Sequence, residues 1–417
     1  MRILLATEYF YPTSKGGTEM YVYQLAKELI KNGHECLIVS LSENTEPFTY
    51  EGIQIKYISF EINAYNDLVN PKNIYQLIEI VKEFKPDIFH LHTYTSSMGI
   101  SHLLRVEELG IKIIFTSHLP NFTCLRGDLM LLGKEVCDGV VIKDRCMNCY
   151  LQSTGIKSVN NRKILVKASY FNLFRKLIPR LNQFDVKNKL LTTFKDKISN
   201  IVVVSHWQKT VLELNGFNSS NVDVCRQAIN EENILHQKIS QPSAKLRIGF
   251  IGRIVQVKGL HVLLNTLSDL DKAKFELTVV AVKSANEIEY YNTTKVAANA
   301  IDANWIEDLE SSDIFKFLDN IDILAIPSIW LETGPIVAFE ALARKLPLLA
   351  FNYGGVKELT NNSESYLVNN LEEMKSVLNE IINDKSKLQK KSDSINYVRT
   401  TKDLYLETIN LYNKISS

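Results

Sequence analysis

No stretch of the 417-residue chain comes near the roughly 18 to 20 consecutive apolar residues that cross a bilayer, which excludes a helical membrane protein. The opening Ile3-Leu4-Leu5-Ala6 is too short for the apolar core of a secretion signal, so the expected location is the cytoplasm. Neither sign of charge dominates. The 48 Lys and Arg and 47 Asp and Glu leave a net +1, so any attraction to nucleic acid or anionic lipid has to be local. Glycine (17) and proline (10) are too few for a collagen-like chain, and 45% apolar with 23% charged residues is the balance of an ordinary globular protein, neither disordered nor coiled-coil. Cysteine is scarce as well. In a cytoplasmic chain its six copies read as thiols or metal ligands rather than disulfides.

At about 150 residues per domain the length allows two or three domains. The first half opens with the apolar run Arg2 to Ala6, a loop carrying Pro12 and Gly16-Gly17, and then apolar Met20, Tyr23, Leu25, Ala26, Leu29 and Ile30 at helical spacing up to Gly33. Further short runs follow at 36–39, 87–91 and 111–115, separated by helix-length stretches. A second series at 246–251, 277–280, 323–326 and 348–351 repeats the plan. Alternation of this kind predicts an α/β protein of two Rossmann-like, doubly wound parallel domains facing a central cleft. The polar stretch 233–245, with Gln241-Pro242-Ser243, has the composition of a hinge. In open parallel sheets ligands sit beyond the carboxyl ends of the strands, so the loops there are where chemistry is expected.

Three such loops carry the right residue types. After the strand at 246–251 comes Gly252-Arg253, then Lys258-Gly259: a guanidinium that binds two oxygens and an ammonium that adds a point charge make a phosphate clamp. After 323–326 comes Pro327-Ser328 and then Glu332 to Glu340, two carboxylates on either side of a helix start at Pro335. The N–H groups of Ile336 and Val337 at that start form an anion site. After 348–351 comes Gly354-Gly355 with Glu358, a loop open to close backbone approach.

Taken in order with Gly16-Gly17-Thr18-Glu19, these segments resemble, over nearly the whole chain, the retaining, metal-independent glycosyltransferases of family 4 (GT-B fold, glycosyl transferases group 1). The resemblance implies a nucleoside-diphosphate sugar as donor and no catalytic metal, fixed positive charge standing in for a divalent cation. It implies that Glu332 binds the donor sugar's hydroxyls, that Glu340 binds the ribose, and that Arg253 and Lys258 stabilise the leaving diphosphate. Gly16, Gly17, Gly334, Ile336 and Val337 complete the donor site, and His118, after the strand at 111–115, matches the family's histidine near the reacting centre. Two departures stand out: Leu119 in place of a frequent Asp, and Pro335 in place of a usual Gly, which removes one N–H donor. The implied domains are an acceptor-side domain at 1–232, the hinge at 233–245, a nucleotide-sugar-binding domain at 246–399, and a terminal helix at 400–417 packing back toward the first domain. The implied reaction is hexosyl transfer to an acceptor hydroxyl in bacterial cell-surface glycan synthesis. The rivals are a nucleotide-sugar epimerase on the same fold and a catalytically silent scaffold that binds nucleotide-sugar or glycan.

Two local features stand apart from the resemblance. Cys124, Cys137, Cys146 and Cys149 fall in a Cys-rich insertion at 121–150, and Cys146-x2-Cys149 has the knuckle spacing of a zinc site, so a structural zinc is expected to order the insertion. Residues 157–197 carry eleven Lys or Arg against Asp185 and Asp196, with Tyr170, Phe171, Leu173, Phe174, Leu177 and Ile178 between them. That mixture suits peripheral contact with an anionic membrane on its inner face, where lipid-linked acceptors reside, rather than nucleic-acid binding.

Overall fold

In the computed structural model, which describes every residue except Lys15, 61–72, Ser96, Ser199, His236, 239–242, 285–286, Asp308 and Ser417, the short apolar runs become strands of two parallel sheets. The chain divides into two compact units: Met1–Gln227 together with Thr401–Ser417, and Ala228–Thr400. Gln241 and Pro242, at the middle of the expected hinge, lie outside the described residues.

The first unit holds β1 (Arg2–Ala6), β2 (Glu35–Leu41), β3 (Phe48–Tyr50), β4 (Ile53–Ile58), β5 (Ile88–Leu91) and β6 (Lys112–Ser117). An insertion after β6 forms the small antiparallel hairpin of β7 (Met130–Leu131) and β8 (Glu135–Val136), and β9 (Asn200–Val203) and β10 (Val222–Val224) complete the main sheet. Its order is β10-β9-β6-β5-β1-β2-β4-β3, parallel throughout except for β3 against β4. A parallel sheet is covered by helices on both faces, which is why its strands read as unbroken apolar runs: Ile3, Leu4, Leu5 and Ala6 are all fully buried. The terminal helix Thr401–Ser416 belongs to this unit, where Tyr412 donates or accepts a 2.7 Å bond with His90 and Thr401 bonds Glu28 at 3.1 Å.

The second unit contains β11 (Leu246–Arg253), β12 (Phe275–Val282), β13 (Asn304–Glu307), β14 (Ile323–Ile326), β15 (Leu348–Phe351) and β16 (Tyr366–Val368). All pairings are parallel, in the order β13-β12-β11-β14-β15-β16. Counted from β11 this is the 3-2-1-4-5-6 order of a dinucleotide-binding sheet, and the order reverses between β11 and β14. Ile248 and Gly249 of β11 register with Ile323 and Leu324 of β14, so the loops leaving these two strands emerge side by side. Gly249 is demanded by packing, since a Cβ there would come 2.3 Å from Ile321.

The expected zinc in the insertion finds no support: among the described residues no group of three or more His, Cys, Asp or Glu side chains, Cys124, Cys137, Cys146 and Cys149 included, is placed to hold a metal ion. The Cys149 thiol accepts from the Leu132 N–H at 3.1 Å and points at the Met130 carbonyl, and the Cys137 thiol faces the Asp138 carboxylate. Burial pushes the thiols of Cys137, Cys146 and Cys149 up. The segment is held by an apolar cluster of Met147, Leu151, Val166, Leu181 and Phe184 and by the pairs Arg126–Asp128 (2.6 Å) and Arg145–Asp138 (2.5 Å). Among the described residues no helix is long and apolar enough to cross a membrane.

Candidate functional site

The loops at the switch between β11 and β14 are held together by backbone contacts that only small residues permit. Gly259, with φ +69°, lies so close to Pro327 that a Cβ would come 1.9 Å from its carbonyl oxygen, and the Ile329 N–H bonds the Val257 carbonyl at 2.9 Å. Gly354 and Gly355 press on the turn at 332–334 in the same way: the Gly355 N–H bonds the Glu332 carbonyl, and a Cβ on Gly355 would come 2.6 Å from Gly334 N. Three loops from β11, β14 and β15 therefore meet at one point.

At that point Lys258 and Glu332 form a 2.6 Å ion pair, the carboxylate side chain 7% and the ammonium side chain 20% exposed. Ser328 donates its hydroxyl to the same Glu332 oxygen at 2.6 Å, and Tyr353 donates to the Ser328 carbonyl at 2.9 Å. Burial alone would push the Glu332 carboxyl up; the Lys258 charge and the bonds from Lys258 and Ser328 outweigh it and hold the group below the usual carboxylate range. Lys258 also stands over the Trp330 ring, 5.5 Å from its centre. Arg253 ends β11 with an exposed side chain and no ion-pair partner among the described residues. A guanidinium at the end of β11 and an ammonium in the turn that follows it can bind a diphosphate.

The helix Ile336–Ala343 begins directly after Pro335, which caps it with φ −65°. Pro335 thus occupies a position whose N–H the helix does not use, and Ile336 and Val337 supply the first helical N–H groups as expected of an anion-facing end. Glu340 lies on the second turn, 7% exposed, with no hydrogen bond to its carboxylate among the described residues, and burial pushes it up to about 7. A carboxyl held dry and without a partner is a ready acceptor for two neighbouring hydroxyls.

His118, Gly16 and Gly17 belong to the first unit. Gly16 caps the helix Gly17–Lys31, and a Cβ on it would strike Glu19, whose carboxylate accepts from Ser14 at 2.7 Å; around Gly17 there is open space. His118 follows β6, buried, its Nε2 3.2 Å from Nδ1 of His92, which follows β5. Tyr21 packs edge-on against it, ring centres 4.9 Å apart. His90 stacks on His92 with centres 4.0 Å apart and bonds Tyr412 and Thr116 at 2.7 and 2.6 Å. Burial holds His90 and His118 down at about 3 and His92 well below its ordinary value, so the cluster is uncharged in the physiological range. Among the described residues His118 Nδ1 and His92 Nε2 are buried without a hydrogen-bond partner. Sequence reading missed His90, His92 and Tyr353, and it named Ser328 without giving it a role. The signal available for the first two was the His-Leu-His spacing at the carboxyl end of β5, next to the switch between β1 and β5.

With this geometry in view, residues 231–399 match the family described as glycosyl transferases group 1, and residues 15–136 match glycosyltransferase family 4. The chain is 26% identical to an uncharacterised 42.6 kDa protein in the cps region of Klebsiella pneumoniae, over 95% of this chain and 97% of that one. It is 24% identical to an uncharacterised glycosyltransferase of Haemophilus influenzae, over 89% and 88% of the two chains. Among solved structures it resembles Anabaena HepE in complex with UDP and glucose, with TM-score 0.67, 13% identity and coverage of 99% of this chain and 100% of that one, a likeness of fold.

Proposed function

Because the chain belongs to glycosyltransferase family 4 and has the GT-B fold, we propose that it moves a hexosyl unit from a nucleoside-diphosphate sugar to an acceptor hydroxyl, retaining the anomeric configuration and using no catalytic metal. The observation that carries this reading is the Lys258–Glu332 pair at the switch of the second sheet, with Arg253 at the end of β11 and without an ion-pair partner among the described residues. In this reading Arg253 and Lys258 hold the two phosphates and stabilise the charge that develops as the diphosphate leaves. The N–H groups of Ile336 and Val337, with Gly334 before them, face the same anion. Glu332 takes the hydroxyls of the donor sugar, and Glu340 takes those of the ribose. Gly16 and Gly17 give the donor close backbone approach, and His118 offers its free ring nitrogen to the sugar. The UDP and glucose held by HepE support a nucleotide-sugar donor.

The acceptor oxygen bonds to the anomeric carbon on the face from which the phosphate departs, and its proton passes to a departing phosphate oxygen. No carboxylate nucleophile takes part, unlike the paired carboxylates of retaining glycosidases. The acceptor is a lipid-linked or growing bacterial glycan, a choice supported by the cps-region relative and by the basic segment 157–197, which suits a membrane-held substrate.

Thermal unfolding against a panel of nucleoside diphosphates and their sugars tests the donor site. A saturating ligand stabilises by mass action, about 2.7 kcal/mol at 100 times its Kd. A selective rise that Arg253→Ala abolishes is expected, and transfer to a simple glycoside followed by NMR is expected to give the donor's own anomer. No rise with any nucleotide would overturn the reading in favour of a silent scaffold, and an inverted product would overturn retention.

A further inference from the structure

Residues 157–184 carry seven Lys or Arg and no Asp or Glu. Two of these cations are committed. Arg162 is buried and bonded to Asn148 and to the carbonyls of Ile156 and Lys157, and Arg175 pairs with Asp185 at 2.7 Å. The other five, Lys157, Lys163, Lys167, Lys176 and Arg180, are exposed and have no carboxylate partner among the described residues. The nearest acids are already used: Asp185 also holds Lys143 at 2.9 Å, and Asp144 accepts from the Tyr170 hydroxyl at 2.6 Å.

The apolar residues of the same segment split into two sets. Val166, Leu181 and Phe184 turn inward onto Met147 and Leu151. Ile164, Tyr170, Phe171, Leu173, Phe174 and Leu177 turn outward, with Leu177 68%, Leu173 and Ile164 65% and Phe171 62% exposed. The helix Asn172–Leu177 has no buried residue at all, and Phe171 and Phe174 meet edge-on at 6.3 Å. Folding of this unit therefore leaves a clustered apolar surface in water, which marks a contact site rather than scattered surface residues. Five uncompensated cations interleaved with it would repel a second copy of the same face. They match a surface that offers phosphates outside and hydrocarbon just beneath.

We propose that this edge docks on an anionic bilayer, the helix Asn172–Leu177 lying in the interface with Phe171, Leu173, Phe174 and Leu177 at the acyl boundary and Lys163, Lys167, Lys176 and Arg180 at the lipid phosphates. Its purpose rests on the reading of a membrane-held acceptor; its observations are separate from those of the donor site. The full-length protein, floated with mixed phosphatidylglycerol and phosphatidylcholine vesicles, is expected to bind, to release at high salt, and to ignore pure phosphatidylcholine. Each cation removed is expected to weaken binding roughly five-fold, so Lys163→Ala/Lys167→Ala/Lys176→Ala lowers it on the order of 100-fold. Phe171→Ser/Phe174→Ser lowers it about ten-fold or more. These side chains are exposed, so the variants should melt like the parent by circular dichroism. Absent binding by the parent, or unchanged binding by either variant, overturns the proposal. So does a variant that changes oligomeric state while vesicle binding stays intact, which would make a second copy the partner. Nucleotide-induced stabilisation, measured in the same samples, should be untouched by these substitutions; its absence in a parent that still binds vesicles would sink the transfer reading alone.

Discussion

Glu332 is a buried carboxylate whose charge is tolerated because Lys258 stands 2.6 Å away. Removing one partner leaves the other as an uncompensated, largely buried charge, which costs about 3 kcal/mol or more. Glu332→Ala is therefore expected to lower the urea midpoint markedly, Glu332→Ala/Lys258→Met to recover most of that loss, and both to reduce transfer at least about 100-fold. Recovery of activity in the double variant would show that the pair serves stability only. Glu340 makes the opposite case, a buried carboxyl with no ion-pair or hydrogen-bond partner among the described residues. Its folded form keeps a proton up to about 7 against 4.5 in its ordinary state, so between those values the folded chain binds more protons than the unfolded one. Stability from this group therefore falls as pH rises from about 4.5 to about 7 and is level above, by ~3 kcal/mol in all. Thermal melts of Glu340→Gln should lack that component, so the variant gains on the parent as pH rises. Because hydroxyls bond best to the ionised carboxylate, nucleotide affinity is expected to rise between pH 6 and 8 in the parent and to stay flat in the variant. A parent whose affinity is also flat would remove Glu340 from the ribose site.

At the scale of elements, the site is a junction of loops fixed by close backbone contact. Gly259→Ala has to accept a left-handed backbone and a Cβ at 1.9 Å from the Pro327 carbonyl. Its cost is expected to exceed the roughly 1–2 kcal/mol of the left-handed conformation alone, because Pro327 is backbone and must move with β14. Denaturant unfolding measures this, and a loss under 1 kcal/mol would mean that the loops are not locked. The strands that line this junction were legible as apolar runs, since a strand buried on both faces shows its character in composition. β10, with Asp223 at its centre, and the three-residue β16 were not, because so short or so mixed a run is apolar only where a neighbour covers it. The packing of the Cys-rich insertion was not legible for a related reason. The apolar residues that hold the segment, Met147, Leu151, Val166, Leu181 and Phe184, come from three separate helices and a turn and show no single pattern.

For the whole molecule, the chain's last helix returns to the first unit after an entire second unit has been built. Tyr412 is fully buried and bonded to His90, Tyr405 meets His34 at 3.2 Å, and Leu404 is fully buried. Deleting 401–417 is expected to destabilise the first unit while sparing the second: amide exchange should speed up in β1, β5 and β10 and stay unchanged in β11, β14 and β15. Equal loss in both sheets would mean that the units unfold as one.

The alternation of short apolar runs with helix-length stretches determined two parallel sheets, since a parallel neighbour needs a crossover of that length, and it determined that Arg253 and His118 sit at strand ends, Lys258 and Glu332 in the segments that follow strands, and Glu340 early in a helix. It did so because strand polarity and loop position are local in the chain. Pairing and burial are not local. That Lys258 meets Glu332 across 74 residues, that His118 meets His92 across 26, that Glu340 is left without a partner, and that Phe171 and Leu177 face outward while Val166 faces inward were decided only by tertiary structure. Each depends on the summed contacts of residues distant in sequence, and composition at the residue itself does not rank them.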